Sequence, residues 1–146
     1  MSGIAKYLIA GAAVLAIATP AVAENWAQFS SNDQTIYLVD LDTLTPVDGI
    51  VSAHMGRVPA KGDATDLSYD TEVVLMRCSD GQSKSGENVS YGPDGAETDR
   101  YTDEGPWSPS GGVYESIKRI ACDNALPAST PYPTPSDFIK AGRGQQ

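Results

Sequence analysis

Thr-Glu-Val-Val-Leu-Met-Arg-Cys, at residues 71–78, is the stretch that decides the fold of this chain. It is rich in β-branched and aliphatic residues, which favour extended backbone on a partly buried surface. Ser79-Asp80-Gly81 follows as a tight turn. Residues 82–91 then predict a second, more polar strand that returns beside the first.

Other segments predict further strands of the same sheet. These are residues 26–30, 34–41, 50–58 and 98–102. In residues 34–41 apolar side chains lie on both alternating faces, which is typical of a central strand covered on both sides. Because turn signals separate successive strands, the sequence predicts an antiparallel meander of about five to six strands.

One helix is expected after these strands. Ser108 is a good N-cap residue and Pro109 suits the first helical position, so the helix could begin there and run to about Cys122. Two glycines at 111 and 112 weaken the first turn, and a start near Val113 is the alternative. An apolar stripe lies along one side: Val113, Ile117, Ile120 and Ala121. The fold class predicted is α+β, with this C-terminal helix packed on the sheet.

The last part of the chain differs in composition. Residues 126–135 contain four prolines, which predict an extended, poorly ordered segment. Residues 136–146 offer no helix of useful length. We therefore expect one α+β domain over residues 24–125 and a proline-rich flexible tail over residues 126–146.

The first 23 residues have the pattern of a secretory signal peptide. Lys6 provides the positive charge, residues 7–19 are apolar, and Pro20 precedes the small-residue sequence Ala-Val-Ala at 21–23. The apolar run is too short for a spanning helix, which needs about 20 apolar residues. We expect cleavage after Ala23 and a periplasmic or secreted protein.

Charge limits the classes of partner. The whole chain has a net charge of −9 with 10 basic and 19 acidic residues, and the predicted signal contains one Lys and no acid. The mature chain therefore carries 9 basic and 19 acidic residues, a net charge of −10. Nucleic acids and anionic membranes would repel such a chain, so neither is an expected partner.

Cys78 and Cys122 are the two cysteines, and both lie in the portion expected to be exported. An even number of cysteines in an oxidising compartment predicts a disulfide. The alternatives are a metal site or a redox pair. Metal sites usually have more Cys and His ligands than this chain offers, and redox pairs usually have C-x-x-C spacing.

His54 is the single histidine, so any histidine-based catalytic group must use it. On the strand over residues 50–58 it shares a face with Ser52, opposite Val51, Ala53 and Met55. No G-x-S-x-G motif accompanies it. We interpret His54 as a partly exposed strand residue, with a hydrolase base as the weaker alternative.

Five acidic residues form the densest charged group, Asp94, Glu97, Asp99, Asp103 and Glu104. Their spacing does not follow the calcium-loop pattern. No metal ion or cofactor is expected, and we interpret the group as a solvated acidic loop. The chain is not expected to be an enzyme.

Several landmarks together resemble the surface-adhesin E domain family. They are a Trp strand at the N-terminus, Tyr37-Leu38-Val39-Asp40 with Leu44 nearby, the strand ending in Cys78, the aromatic Tyr91, and Trp107 followed by Pro109-Ser110, Tyr114-Glu115-Ser116-Ile117 and Ala121-Cys122. Their order covers residues 26–124. The resemblance implies an antiparallel sheet with a C-terminal helix, a Cys78–Cys122 bridge and homodimerisation through the sheet. It also implies adhesion to host matrix proteins such as vitronectin and laminin. The expected cleavage site has no cysteine, so no lipid anchor is expected.

The function expected is an exported, non-enzymatic module that binds a protein, either a host matrix protein or an envelope protein. Aromatic side chains would carry the contact, and the candidates are Trp26, Tyr37, Tyr91, Tyr101 and Trp107. Core packing is the alternative for the first two and for Trp107. The alternative function is inhibition of an envelope enzyme such as a basic lysozyme through residues 94–104, including Asp94, Glu97 and Asp99.

Overall fold

The computed structural model describes residues 24–144, so the predicted signal peptide lies outside the described residues. The chain forms strands and helices in this order: β1 (Trp26–Ser31), β2 (Thr35–Asp40), a 3-10 turn (Leu41–Thr43), β3 (Ile50–Pro59), β4 (Tyr69–Arg77), β5 (Gln82–Tyr91), β6 (Glu97–Thr102), β7 (Ser108–Pro109), α1 (Val113–Asp123) and α2 (Pro135–Lys140).

The strands form one antiparallel sheet in the order β1-β2-β3-β4-β5-β6. The predicted α+β meander is confirmed, because each of these strands pairs with its neighbour in sequence. The short strand β7 pairs with the first residues of β5, while β6 pairs with the last ones. Ser108 and Pro109 therefore belong to a strand, and the prediction that they start the helix is wrong. The helix begins at Val113, the alternative start, after Gly112 with a positive φ of 58°.

Helix α1 covers the first face of the sheet. Ile117 and Ile120 of α1 pack on alternate strand residues, namely Val39, Val51, Ala53, Met55, Val74 and Met76. The predicted alternation in residues 50–58 is therefore confirmed. The predicted disulfide is also present, and it joins the chain just after β4 to the last turn of α1 with 5.5 Å between the Cα atoms of Cys78 and Cys122. The helix remains regular through Asp123, so the bridge forms without loosening this turn.

Helix α2 covers part of the opposite, second face. Phe138 and Ile139 are buried against a second cluster, composed of Trp26, Ile36, Leu38, Val58 and Tyr69. Gly56 of β3 permits the close packing, because a Cβ atom there would lie only 3.3 Å from the Trp26 ring.

The expectation that the end of the chain is a flexible tail without a helix is therefore wrong for this segment. Pro135 is the first helical residue, and the Thr134 hydroxyl accepts a hydrogen bond from the Asp137 N–H at 3.0 Å. Proline suits this position since its missing N–H is not needed there. Three of the four prolines in residues 126–135 lie before α2, and the fourth, Pro135, is its first residue.

The segment before α2 closes the outer edge of β1. Trp26 and Tyr132 exchange backbone hydrogen bonds of 2.9 Å in both directions. The Ser129 hydroxyl also donates to the Gln28 carbonyl at 2.7 Å. The C-terminal segment therefore belongs to the folded domain.

The outer edge of β6 has a different protection. All residues of β6 are exposed, and the backbone N–H of Arg100 donates to the Asp99 carboxylate at 2.9 Å. The Arg100 side chain forms ion pairs with Glu87 and Glu97. Charged side chains and an occupied backbone donor of this kind oppose the addition of another strand.

We predict that Phe138→Ala destabilises the domain by about 3–5 kcal/mol, because it leaves a cavity between α2 and the sheet. Urea unfolding of the mature oxidised protein measures this loss. Lys140→Ala, at an exposed position of the same helix, is the matched control. Equal stability of the Phe138 variant and the wild type would contradict the packing of α2.

We also predict that replacing both cysteines by serine lowers the free energy of unfolding by about 4 kcal/mol. The reason is that a bridge closing a loop this long restricts the unfolded chain. The two cysteines are 44 positions apart. Urea unfolding with and without a thiol reductant checks this, and reductant should affect only the wild type. Unfolding that does not respond to reductant would contradict the role of the bridge.

Candidate functional site

One end of the second face is covered by neither helix. The strand register places side chains of β3, β4 and β5 next to one another there, with Ile50 opposite Arg77, Ser52 opposite Leu75, Leu75 opposite Lys84 and Arg77 opposite Gln82. We call this surface the open face and define it as Ile50, Ser52, Val73, Leu75, Arg77, Gln82, Lys84 and Trp107. Its aliphatic residues are only half-buried and belong to neither core cluster.

Trp107 lies at the centre of the charged part of the open face. The pairing of Ser108 with Ser83 brings the indole beside Lys84. The guanidinium carbon of Arg77 lies 4.4 Å from the ring centroid, and the Lys84 ammonium lies 5.2 Å from it. Both distances are within the range of cation–π attraction. Cation–π contacts therefore hold the three side chains together on the surface of the sheet.

Arg77 is also fixed from its other side. Its Nη2 donates to Asp80 at 2.7 Å and to Gln82 at 2.9 Å. The hydrogen bonds with Asp80 raise the pKa of Arg77, and the same bonds lower the pKa of Asp80. The guanidinium thus stays charged and its plane is held in place.

Lys84 gives the open face a positive charge that is unpaired among the described residues and is opposite in sign to the net charge of the chain. None of the eight residues of the open face is acidic. Within residues 24–144 Lys84 forms no ion pair with a carboxylate. A chain with a large excess of acids therefore carries a cationic and aromatic patch at this end of the sheet.

A cavity of about 190 Å³ lies between the open face and α2. Its walls include His54 and the stacked rings of Tyr69 and Tyr91, whose centroids are 4.3 Å apart. Trp26 donates its indole N–H to Glu24 at 2.5 Å on the same side. Arg100, which also lines the cavity, is paired with acids. His54 makes no side-chain hydrogen bond with another described residue, so the structure assembles no serine–histidine pair around it.

The sequence-predicted aromatic residues do not form one site. Trp107 lies on the open face, and Tyr91 lies in the cavity wall. Tyr101 is 57% exposed on β6, where its pairing with Asn88 places it on the first face. Trp26 is 2% exposed and belongs to the core, and Tyr37 packs against the core of the first face.

The predicted acidic residues are engaged locally. Asp94 accepts the backbone N–H of Ala96 at 3.0 Å, and Asp99 accepts that of Arg100. The hydrogen bond from Arg100 lowers the pKa of Glu97. These three carboxylates stabilise a turn and an edge strand, and they do not converge on a common point.

Sequence reasoning missed Arg77 and Lys84 because they are separated by a turn and look unremarkable in isolation. A signal was nevertheless available. The hairpin around Ser79-Asp80-Gly81 fixes the register, which places Lys84 directly opposite Leu75 and beside Arg77 on the same face. Trp107 was a candidate from the sequence, but it could not be placed beside these two residues because its segment was expected to lead into a helix.

A buried polar network fastens α1 to the first face. Glu72 is 2% exposed and binds Arg57 as well as the Tyr114 hydroxyl, which donates to it at 3.0 Å. Burial would lower the pKa of Arg57, but the charge of Glu72 more than offsets this and the pKa is raised. Burial and the charge of Glu72 both raise the pKa of Tyr114. Each charged group has a partner, as a buried pair requires.

Comparison with protein-family models, curated proteins and solved structures found no match for this chain. Among residues 24–144 no helix is both long and apolar enough to cross a membrane. Across the same residues no group of three or more His, Cys, Asp or Glu side chains is arranged to hold a metal ion.

We predict that the Tyr69 hydroxyl loses its proton at a higher pH than the hydroxyl of a free tyrosine. Burial, followed by the proximity of Tyr91, raises the pKa of Tyr69 from its ordinary value near 10 to about 12. A raised pKa stabilises the fold fully below about pH 10, and this contribution is lost as the pH rises through about 12.

Phenolate absorbance after a rapid jump to alkaline pH measures this ionisation before the chain unfolds. Tyr69→Phe should remove the component that titrates near pH 12 and should make stability less sensitive to alkaline pH. An unchanged late component in the variant would contradict the burial of this hydroxyl.

Proposed function

We propose that the mature chain is an exported, non-enzymatic module that binds a protein through the open face. One observation carries this proposal: a sheet surface with Trp107, Arg77 and aliphatic residues is left uncovered by both helices. Tryptophan and arginine are enriched among the residues that dominate binding energy, and such residues work best beside apolar surface that excludes water.

Export is supported by two features. The sequence of residues 1–23 predicts a signal peptide, and the Cys78–Cys122 disulfide suits an oxidising compartment. The periplasm and the medium outside the cell are the two proposed locations.

A host matrix protein is the partner class proposed first, because of the resemblance to the surface-adhesin E domain family. The sheet, the C-terminal helix and the disulfide agree with the fold that this resemblance implies. Homodimerisation remains part of the proposal only through a sheet face. Both outer edges are protected, since the C-terminal segment closes β1 and local charges occupy β6.

Inhibition of a basic envelope enzyme such as a lysozyme is the second candidate. The exposed loop after β6 favours it, because Asp103 and Glu104 stand in solvent next to the segment that contains Trp107. Asp103→Asn with Glu104→Gln should then abolish inhibition of lysozyme, whereas Trp107→Ala should not. Inhibition that survives removal of both acids would exclude this role.

We predict that Trp107→Ala weakens binding of the mature oxidised protein to immobilised vitronectin or laminin by about 30-fold. This corresponds to the loss of about 2 kcal/mol that is typical of a central interface residue. Surface plasmon resonance measures the change.

Tyr101→Ala is the matched control, since this aromatic residue is exposed on the first face of the sheet and should leave binding intact. Equal binding by wild type and the Trp107 variant, or loss only in the Tyr101 variant, would contradict the assignment of the open face.

A further inference from the structure

We infer that the open face recognises an acidic segment of its protein partner, with a side-chain carboxylate held by Lys84 and Arg77 beside Trp107. This inference rests on the proposed function and adds the chemistry of the partner. It follows from the hydrogen-bond donors that the open face leaves unpaired within residues 24–144. It also follows from the positive charge of Lys84 on a chain whose net charge is negative.

Two donor groups lie beside the same indole ring. In the described part of the chain, Arg77 uses Nε and Nη2 for Asp80 and Gln82, and its Nη1 makes no hydrogen bond. The Lys84 ammonium forms no ion pair there with a carboxylate. Both cations approach the same indole ring. A carboxylate placed beside the ring can accept from Nη1 of Arg77 and from Nζ of Lys84 together.

Arg77 and Lys84 would contribute differently to binding a carboxylate. Asp80 already neutralises much of the Arg77 charge at 2.7 Å, so Arg77 contributes a fixed, directed donor. Lys84 contributes the unpaired positive charge. The indole holds both groups and shields one side of the contact from water, which strengthens an electrostatic interaction relative to open solvent.

The rest of the surface limits the size of the acidic partner. A net charge of −10 on the mature chain repels a nucleic acid or an anionic bilayer, because these extend far beyond the patch. A short segment with one or two carboxylates contacts only the patch, and charges more than about 8–10 Å away are screened at physiological salt. Leu75 lies opposite Lys84 on the neighbouring strand and suits an apolar side chain adjacent to the carboxylate.

Selection from a random peptide display library tests this inference with the mature oxidised protein. We expect wild type to enrich peptides in which Asp or Glu adjoins an aliphatic or aromatic residue. The selected peptides should bind Lys84→Glu at least about tenfold more weakly, because the variant places like charges together. A fresh selection on Lys84→Glu should favour Lys or Arg, and Lys84→Arg should retain the preference for acids.

Lys140→Glu is the matched control, since it changes an exposed charge on α2, away from the open face, and should leave the selection unchanged. Carboxylate recognition would be overturned if the peptides enriched by wild type showed no preference for acids and bound Lys84→Glu equally well. If Trp107→Ala still failed to enrich those peptides, the open face would remain the binding surface. Selection that is the same for wild type and Trp107→Ala would overturn both. Failure of wild type to enrich any peptide would overturn the recognition of a segment, and the matrix-protein assay would then decide the proposed function separately.

Discussion

A single sheet has two faces to cover, and within residues 24–144 two helices of unequal length pack on them. Helix α1 has 11 residues and α2 has 6, so they are about 16 Å and 9 Å long. Strands β3 and β5 have 10 residues each and are about 33 Å long. Helix α2 can therefore cover only one end of the second face. The surface left at the other end is the open face.

The covered and uncovered ends are stabilised by different interactions. Around α2, aromatic and aliphatic residues are fully buried, and the C-terminal segment also pairs with β1. On the open face, the guanidinium carbon of Arg77 and the ammonium of Lys84 lie 4.4 Å and 5.2 Å from the centroid of the Trp107 ring. This arrangement limits the exposed apolar area without closing the surface. It therefore leaves this end of the second face partly exposed to solvent.

The strands and α1 could be predicted because their patterns are local: alternation in residues 50–58, turn residues between strands, and a stripe from Val113 to Ala121. The packing of Phe138 and Ile139 could not, because it depends on the distant residues that they cover. For the site, Trp107 was a candidate from the sequence. Its two cationic neighbours come from separate strands, so only the sheet register brings them together. Asp94, Glu97 and Asp99 were candidate contact residues from the sequence, but each accepts a local hydrogen bond in β6 or in the turn before it.

The most direct measurement compares quenching of tryptophan fluorescence by iodide and by caesium. Trp26 is buried, so Trp107 dominates the quenchable signal. We predict that iodide quenches more effectively than caesium, since Lys84 and Arg77 attract an anion to the indole, and that Lys84→Glu reverses the order. More effective quenching by caesium in the wild type, as the net charge of −10 alone would give, would contradict a cationic contact surface at Trp107.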